Sequence, residues 1–397
     1  MLRAYKTELD PNNQQRTQFK QNADAARFVY NWGLADREAQ YKVTGKSVSG
    51  YEQKKRFNAL KKTAYPWLEG VCGRTSESAF MHLDVAFQNY WRQKKDGTVA
   101  KRKAEIQKAG KWGRHVSRLL QKGRQGIELD PGYPQFKSKH RSTPTFTLRG
   151  CIHIETDRIK LPVIGWVRLK ERGYLPTEGV KILSANVSER AGRWYASVQV
   201  EEPDKPIEHG TGAPIGVDLG IKTLAVCSDG VVFENPHSLA KAERKLKRLS
   251  RELHRRQKGS KNRAKTQAKL AKCHAQVAHI RQHALHQVSH HVTAKTKPST
   301  VVLEDLNVKG MVRNHSLAKA VSDASFSDLR QQIEYKASWN GVDVVVADRF
   351  YPSSKTCSAC GVKKALLKLS ERTFVCEECG AVVDRDLNAA RNLAALA

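Results

Sequence analysis

The stretch Cys357-Ser-Ala-Cys360, followed after fifteen residues by Cys376-Glu-Glu-Cys379 and then by Asp384-Arg385-Asp386-Leu387-Asn388, decides how this chain is read. Two Cys-x2-Cys pairs at that separation have the spacing of a zinc ribbon, in which four thiolates close a tetrahedral shell. A shell closed by four thiolates leaves no position for substrate. The Zn²⁺ expected on Cys357, Cys360, Cys376 and Cys379 is therefore structural rather than catalytic. A redox pair or plain buried cysteines is the competing reading, and the regular spacing disfavours it. Thr356 and Phe374 are expected to pack the knuckles. Directly behind the cysteines, Asp386 stands at the start of a short helix expected over Leu387 to Leu396.

Two more acids lie far upstream at strand positions. Asp218 sits inside Ile215-Gly-Val-Asp-Leu-Gly, and Glu304 ends Thr300-Val-Val-Leu-Glu. A carboxylate in such an apolar strand must be paired, protonated or metal-bound, because burying it bare is costly. Strand hairpin, later strand, C-terminal helix is the order in which RNase H-like folds deliver their acids. Three carboxylates converging from separate elements suit two Mg²⁺ ions, which take oxygen donors and bridge phosphate. Each acid alone is weak evidence, since a lone acid at a strand end is commonly a solvated edge charge or a helix cap. The ordered set carries the reading, with Asp384 as the alternative to Asp386.

The 397 residues allow two to four domains with sizeable cores. Lys and Arg number 70 against 39 acids, a formal net charge of +31, which is a statement about partners rather than fold. Nucleic acid is the leading partner, because neutralising phosphates takes many cations. No apolar run approaches the roughly 18 residues of a membrane span. The opening Met1-Leu-Arg-Ala-Tyr-Lys lacks an export signal's apolar core. A cytoplasmic location without membrane partners is expected. Cys72, Cys151, Cys227 and Cys273 are scattered singly, as reduced small hydrophobes usually are.

The remaining chain divides by pattern. Residues 1–9 alternate like a strand. Apolar residues from Gln14, through Tyr51–Leu60 and through Ser76–Trp91 recur at three and four, as in a small helical bundle. Residues 92–141 carry fifteen Lys/Arg against four acids, with repeated glycines, and are expected to be a flexible basic insertion. Residues 143–202 read as short alternating strands of a small antiparallel barrel or sandwich, which the first strand could complete. After a linker over Pro203 to Pro214, a strand hairpin opens a new domain. Between 241 and 281, fifteen Lys/Arg stand beside two Glu, and Gly259-Ser260 interrupts a basic helical hairpin. Phe28, Tyr30, Trp32, Trp91 and Trp112 could stack bases, although helical spacing favours the core for several. His274, His279, His283, His286, His290 and His291 are expected at the surface or on phosphates. A strand ending in Glu304, a helix over Ser325–Asn340 and a strand over Val342–Ala347 lead into the cysteine segment.

Taken together, Ile215-Gly-Val-Asp-Leu-Gly-Ile-Lys, Val302-Leu-Glu-Asp-Leu, Pro352-Ser-Ser-Lys-Thr-Cys-Ser-x-Cys-Gly and Cys379-Gly-x-x-x-Asp-Arg-Asp-Leu-Asn-Ala-Ala resemble the TnpB family of insertion-sequence proteins, which is related to the miniature type V CRISPR effectors. Ala25-Ala-Arg-Phe-Val-Tyr-Asn-Trp-Gly-Leu and Leu329-Arg-Gln-Gln-Ile-Glu-Tyr-Lys-Ala share the likeness, which covers the chain except about 92–141. The resemblance implies a multidomain α+β protein that binds a guide RNA from the transposon end. It implies cutting of matched double-stranded DNA beside a short motif at a single RuvC-like site. It assigns Asp218, Glu304 and Asp386 as catalytic acids holding two Mg²⁺, and the four cysteines as zinc ligands of a target-nucleic-acid-binding module over 349–381. It implies an RNase H-like RuvC nuclease domain over 211–348 and 382–397. A β-barrel wedge domain would span 1–9 and 143–205, and a helical recognition domain 10–142. Arg330 falls in a region resembling a lid over the cleft. Arg330, Lys355, Arg385, Arg255, Arg256, Lys261 and Arg263 are the expected nucleic-acid contacts. One copy per RNA and nucleoid association on DNA are expected.

Three other readings compete. A binding regulator on the same scaffold would not need three intact acids. A CRISPR-associated miniature effector shares the motifs. A tyrosine transposase needs a nucleophilic Tyr near paired His, and Tyr195 and Tyr351 have no such sequence neighbours.

Overall fold

The first strand of the chain pairs with the last strand of its half across nearly two hundred residues, so the N-terminus is woven into a sheet rather than trailing. The structure, a computed structural model, describes residues 1–139, 142–203, 207–368 and 370–397. The ends of two expected segments, at 141 and 205, lie outside the described residues. The chain forms two compact units, Met1–Asp204 and Lys205–Ala397.

The first unit begins with β1 (Leu2–Asp10), α1 (Asn13–Thr44), α2 (Gly50–Ala64), α3 (Gly73–Lys95), α4 (Thr98–Lys108) and α5 (Trp112–Leu120). It continues with β2 (Thr145–Arg149), β3 (His153–Ile154), β4 (Arg158–Leu161), β5 (Gly165–Leu169), β6 (Lys181–Arg190) and β7 (Arg193–Glu201). The strands make one antiparallel sheet in the order β2-β6-β7-β1-β5-β4-β3. Alternation turns Val187, Trp194, Ala196 and Val198 into a core that α1 caps with Phe19, whose ring lies 5.0 Å from Trp194. Asn12 and Gln15 form a reciprocal capping box that starts α1. A second core joins Val29, Leu34, Phe57, Phe80 and Leu83, and takes in Tyr30, Phe28 and Trp32 as helical spacing suggests.

Residues 92–141 are not a flexible insertion over their described part. They form α4 and α5, and Val99, Leu119 and Tyr133 are buried. Arg124, within this basic stretch, is only 2% exposed. It pairs with Glu38 and with Glu128 at 3.6 Å, and stacks its guanidinium over Phe136 at 4.4 Å. Counting charge missed this because a few apolar anchors and one compensated cation suffice to dock two short helices.

The second unit contains β8 (Ile215–Leu219), β9 (Thr223–Cys227), β10 (Val232–Glu234), α6 (Ser238–Arg255) and α7 (Lys261–His290), which runs into a π-helical turn over His291–Lys295. It continues with β11 (Thr300–Glu304), α8 (Val308–Met311), α9 (Ala318–Ala324), α10 (Phe326–Asn340) and β12 (Asp343–Ala347). The chain closes with β13 (Thr373–Val375), β14 (Val382–Asp384) and α11 (Arg385–Ala394). The main sheet has the order β10-β9-β8-β11-β12: an antiparallel hairpin run, then two strands parallel to β8. Ile215, Val217, Val301 and Leu303 face a core shared with α7 and α10, through Leu285, Val288, Leu329 and Ile333. Val302 faces the other side, toward Leu393 of α11. Among the described residues no helix is long and apolar enough to cross a membrane.

Two sequence expectations change, one in each unit. His291 is buried rather than at the surface. It follows the buried stripe of α7, three residues after Val288 and six after Leu285. In the first unit Cys151 is exposed, at φ +52°, unlike the buried Cys72, Cys227 and Cys273.

Candidate functional site

Period two along the strands places the acids. Ile215 and Val217 point into the core with α7 and α10, so Gly216 and Asp218 point to the face covered by α11. On β11, Val301 and Leu303 take the core side, so Val302 and Glu304 share the α11 face. The parallel register Val217↔Leu303 sets Asp218 beside Glu304. Helix α11 can lie this close because residue 216 is glycine: a Cβ there would stand 2.0 Å from the Ala390 carbonyl oxygen and 2.4 Å from the Ala394 amide nitrogen. The helix start carrying Asp386 is thereby brought to the two strand acids.

The electrostatics of this face are those of a site short of positive charge. Burial, and then the charges of Glu304 and Asp386, push Asp218 up to about 8. Burial also raises Glu304, against a hydrogen bond from Ser353 that favours its charged form. Asp386 is turned toward cations: Arg385 donates to its Oδ1 from Nη2 at 3.0 Å and from Nε at 3.2 Å, and Arg372 lies 3.8 Å away. The three carboxylates do not share one tight sphere. Among the described residues, the groups whose donor atoms all lie within 4.8 Å of one another are the four cysteines and a separate trio, Cys227, Asp229 and His291. Mutual repulsion keeps like charges apart, and Arg385 holds Asp386. An all-oxygen donor set fits a hard divalent cation such as Mg²⁺. Asp384 has a different task. Its side chain caps α11, accepting from the amides of Asp386 at 2.9 Å and Leu387 at 3.0 Å.

The four cysteines sit on two matching turns. The Cys357 amide donates to the Val362 carbonyl at 2.9 Å, and the Cys376 amide to Ala381 at 2.8 Å. Gly361 and Gly380 then take φ +77° and +69°, which lets each turn close under its sulfurs. Cys357 Sγ lies 3.7 Å from Cys379 Sγ, and Cys360 Sγ 3.5 Å from Cys376 Sγ. Those separations are far too long for a disulfide and match the edge, about 3.8 Å, of a tetrahedron with Zn–S bonds of about 2.3 Å. The residues therefore fit a Zn²⁺ ion. Phe374 is buried against Cys357 and Cys376, while Thr356 bonds back to Pro352.

Helix α11 is bolted to this module. Asn388 accepts from the Ser358 amide at 2.9 Å and donates to the Thr356 carbonyl at 2.7 Å. Asn392 donates to the carbonyls of Ser353 and Thr356 at 2.7 and 2.6 Å. Both side chains are buried, so these amides have little access to replacement water. Sequence reasoning quoted Ser353 and Asn388 within their motifs but gave them no role. Asn388 and Asn392, two and six positions after Asp386, were the available signal, whereas Ser353 meets Glu304 49 residues away in sequence.

The expected nucleic-acid contacts separate into exposed and engaged groups. Arg255 and Lys261 are exposed at the tip of the α6–α7 hairpin. Arg256 pairs with Glu252, with its Nε at 3.0 Å, and Arg263 donates to the Leu253 and Arg256 carbonyls, so both close the turn. Arg349 is held by Asp305 and Arg330 by Glu334 at 2.8 Å, with Asp305 3.7 Å from Arg330, at a 340 Å³ cleft that Glu304 also lines. Lys355 is half-buried in the turn that precedes Cys357, its amide bonded to the Pro352 carbonyl. Arg385 is committed to Asp386 and to the Glu371 carbonyl at 3.2 Å.

Residues 197–315 match the family described as "Probable transposase", residues 326–393 the "Cas12f1-like, TNB domain", and residues 1–46 a "Helix-turn-helix domain". Over 1–46 the chain forms β1 and a single 32-residue helix. A "Putative RNA-guided DNA endonuclease" of Streptomyces pristinaespiralis is 33% identical over 99% of this chain and 89% of the relative. A "Putative RNA-guided DNA endonuclease InsQ" of Escherichia coli K12 is 28% identical over 99% of this chain and 92% of the relative. A TnpB-like protein of Methanocaldococcus jannaschii is 35% identical over 28% of this chain and 40% of its own. With full-length similarity on one side and the acid and cysteine elements on the other, the chain belongs to the TnpB family.

Proposed function

We propose that this protein is an RNA-guided DNA endonuclease of a transposon. It binds a guide RNA from the transposon end and cuts matched double-stranded DNA beside a short adjacent motif. The observation that carries the reading is the convergence of Asp218 on β8, Glu304 on β11 and Asp386 on α11 at one face of the sheet. The strand order, an antiparallel run followed by two parallel strands, supports an RNase H-like, RuvC-type nuclease over 211–348 and 382–397. The names of its relatives and the net charge of +31 support a nucleic-acid enzyme.

Asp218, Glu304 and Asp386 would hold two Mg²⁺ ions. When bound, these lower the pKa of the attacking water and stabilise the leaving oxygen of the phosphodiester. The protein's own groups prepare that chemistry. Ser353 orients Glu304, the Asp384 cap orients the first turn of α11, and Arg385 holds Asp386. Arg330, held by Glu334, and Arg349, held by Asp305, stand where strand phosphates would enter the cleft. The cysteine module over 349–381 would carry a structural Zn²⁺ and contact target nucleic acid. The seven-stranded sheet with residues 1–9 and 143–205 would be the wedge domain, and 10–142 the recognition domain. One chain per RNA is the proposed assembly, cytoplasmic and on the nucleoid when engaged.

The decisive experiment is to sequence the RNA that copurifies with the protein and then challenge the complex with a plasmid library matched to it. Mg²⁺-dependent cutting beside one short motif is expected. Bound RNA without cutting at any motif would instead support a binding regulator.

A further inference from the structure

We propose a second protein metal site in the Lys205–Ala397 unit, formed by Cys227, Asp229 and His291 and selective for a borderline transition cation, Zn²⁺ in the first instance. Their donor atoms lie within 4.8 Å of one another although His291 stands 62 residues beyond Asp229 in sequence. In a tetrahedral site with Zn–S about 2.3 Å and Zn–N or Zn–O about 2.0 Å, such atoms stand about 3.3–3.6 Å apart. Small side-chain adjustments therefore suffice to reach a cation.

The backbone prepares two of the ligands on one turn. The Cys227 amide donates to the Val231 carbonyl, and the Gly230 amide returns to Cys227, each at 2.9 Å. Asp229 Oδ1 accepts from the Val231 amide at 3.0 Å, which leaves Oδ2 to face His291 Nε2 at 2.8 Å. His291 arrives from the opposite direction, at the first residue of the π-helical turn that ends α7. Such turns interrupt the regular hydrogen-bond ladder and are frequent at functional sites. The edge of Phe233 packs against the imidazole at 5.4 Å and restricts its rotation.

The donor set decides the cation. One thiolate, one imidazole and one carboxylate favour Zn²⁺ or Co²⁺ over Mg²⁺, which the all-oxygen acids suit. Coordination replaces the Cys227 S–H bond with a Zn–S bond and releases that proton to solvent. Neutral His291 gives its Nε2 lone pair and Asp229 gives Oδ2. Three protein ligands leave the fourth position to water, which the exposed Asp229 side admits. So filled, the site would fasten the β9–β10 hairpin to the end of α7, and it stands apart from the four-cysteine cluster. The competing reading is a plain Asp229–His291 pair above a core cysteine.

Metal content of the full-length protein, loaded with Zn²⁺ and then desalted, separates the two. Two Zn²⁺ per chain are expected in the wild type and one in the Cys360→Ser/Cys379→Ser variant. One is expected again in Cys227→Ser, which keeps the core volume, and in His291→Ala. With Co²⁺, the Cys227→Ser variant should lose a thiolate charge-transfer band that Cys360→Ser/Cys379→Ser retains. A single equivalent in the wild type that survives both Cys227→Ser and His291→Ala overturns the proposal. So does a second equivalent indifferent to both.

Discussion

Ser353 Oγ donates a hydrogen bond to Glu304 Oε1 at 2.8 Å, so a residue at the entrance of the cysteine module directly fixes an acid at the end of β11. Asn392 of α11 holds the Ser353 carbonyl at 2.7 Å and thereby ties the same short segment to the helix of Asp386. Removing the hydroxyl should loosen Glu304 without removing a metal ligand. Ser353→Ala is expected to need about tenfold more Mg²⁺ for half-maximal cleavage, the size of one hydrogen bond to a charged group. Activity at saturating Mg²⁺ should stay near wild type, and Ser353→Thr should restore the metal dependence. An unchanged Mg²⁺ titration in Ser353→Ala would remove this role.

Asp218→Ala should abolish cleavage and leave RNA and target binding largely intact, because the acid acts on metal and not on the guide. Cleavage of a guide-matched target by this variant in Mg²⁺ would refute the metal assignment.

The pH dependence of stability follows from the same residue. Asp218 is pushed up from 3.8 to about 8 in the folded protein, so its neutral form is favoured by folding. Its contribution is therefore full below about 4 and is lost as pH rises toward about 8. Thermal melts without divalent metal should show Asp218→Asn gaining on the wild type as pH increases across that window. Mg²⁺ should raise the wild-type Tm more at pH 8 than at pH 5, and a pH-independent metal effect would contradict this.

Asp384 and Asp386 should respond differently to alanine. Asp384→Ala removes the cap of α11 and is expected to cost about 1 kcal/mol, within the usual range for N-caps, while cleavage persists at a reduced rate. Asp386→Ala should relieve repulsion with Asp218 while leaving the half-buried Arg385 without its carboxylate, and should eliminate cleavage. Paired melting curves and plasmid assays check both.

Cys376→Ser should lower zinc content by one equivalent and destabilise the C-terminal module, with protease sensitivity rising over 349–381. Unchanged zinc in the purified variant would refute the ligand assignment. On the basic hairpin, Arg255→Glu with Lys261→Glu should weaken RNA binding and flatten its salt dependence by about two counterions. Arg263→Ala should act first on stability, since that side chain closes the turn.

Much of this protein is legible in one dimension because its signals are local. Cys-x2-Cys spacing reports a metal turn, since two sulfurs three positions apart meet on one tight turn and the pattern occurs twice. Period-two runs around Asp218 and Glu304 report strands, and Gly259-Ser260 reports the break between α6 and α7. The α+β character and the cysteine cluster follow from such patterns. Other features depend on residues distant in sequence, and no local pattern encodes them. Gly216 matters because the backbone of α11 crosses it. Arg124 is buried because Glu38 and Phe136 meet it, although its own segment looks like a solvated linker. Ser353 reaches Glu304, and His291 meets Asp229, only after the sheet and the helices have packed. Composition and spacing determined which chemistries this chain carries, because those depend on residue type. Tertiary structure alone decided which groups share each site, because side chains separated by tens of residues interact only where packing brings their atoms within a few ångströms.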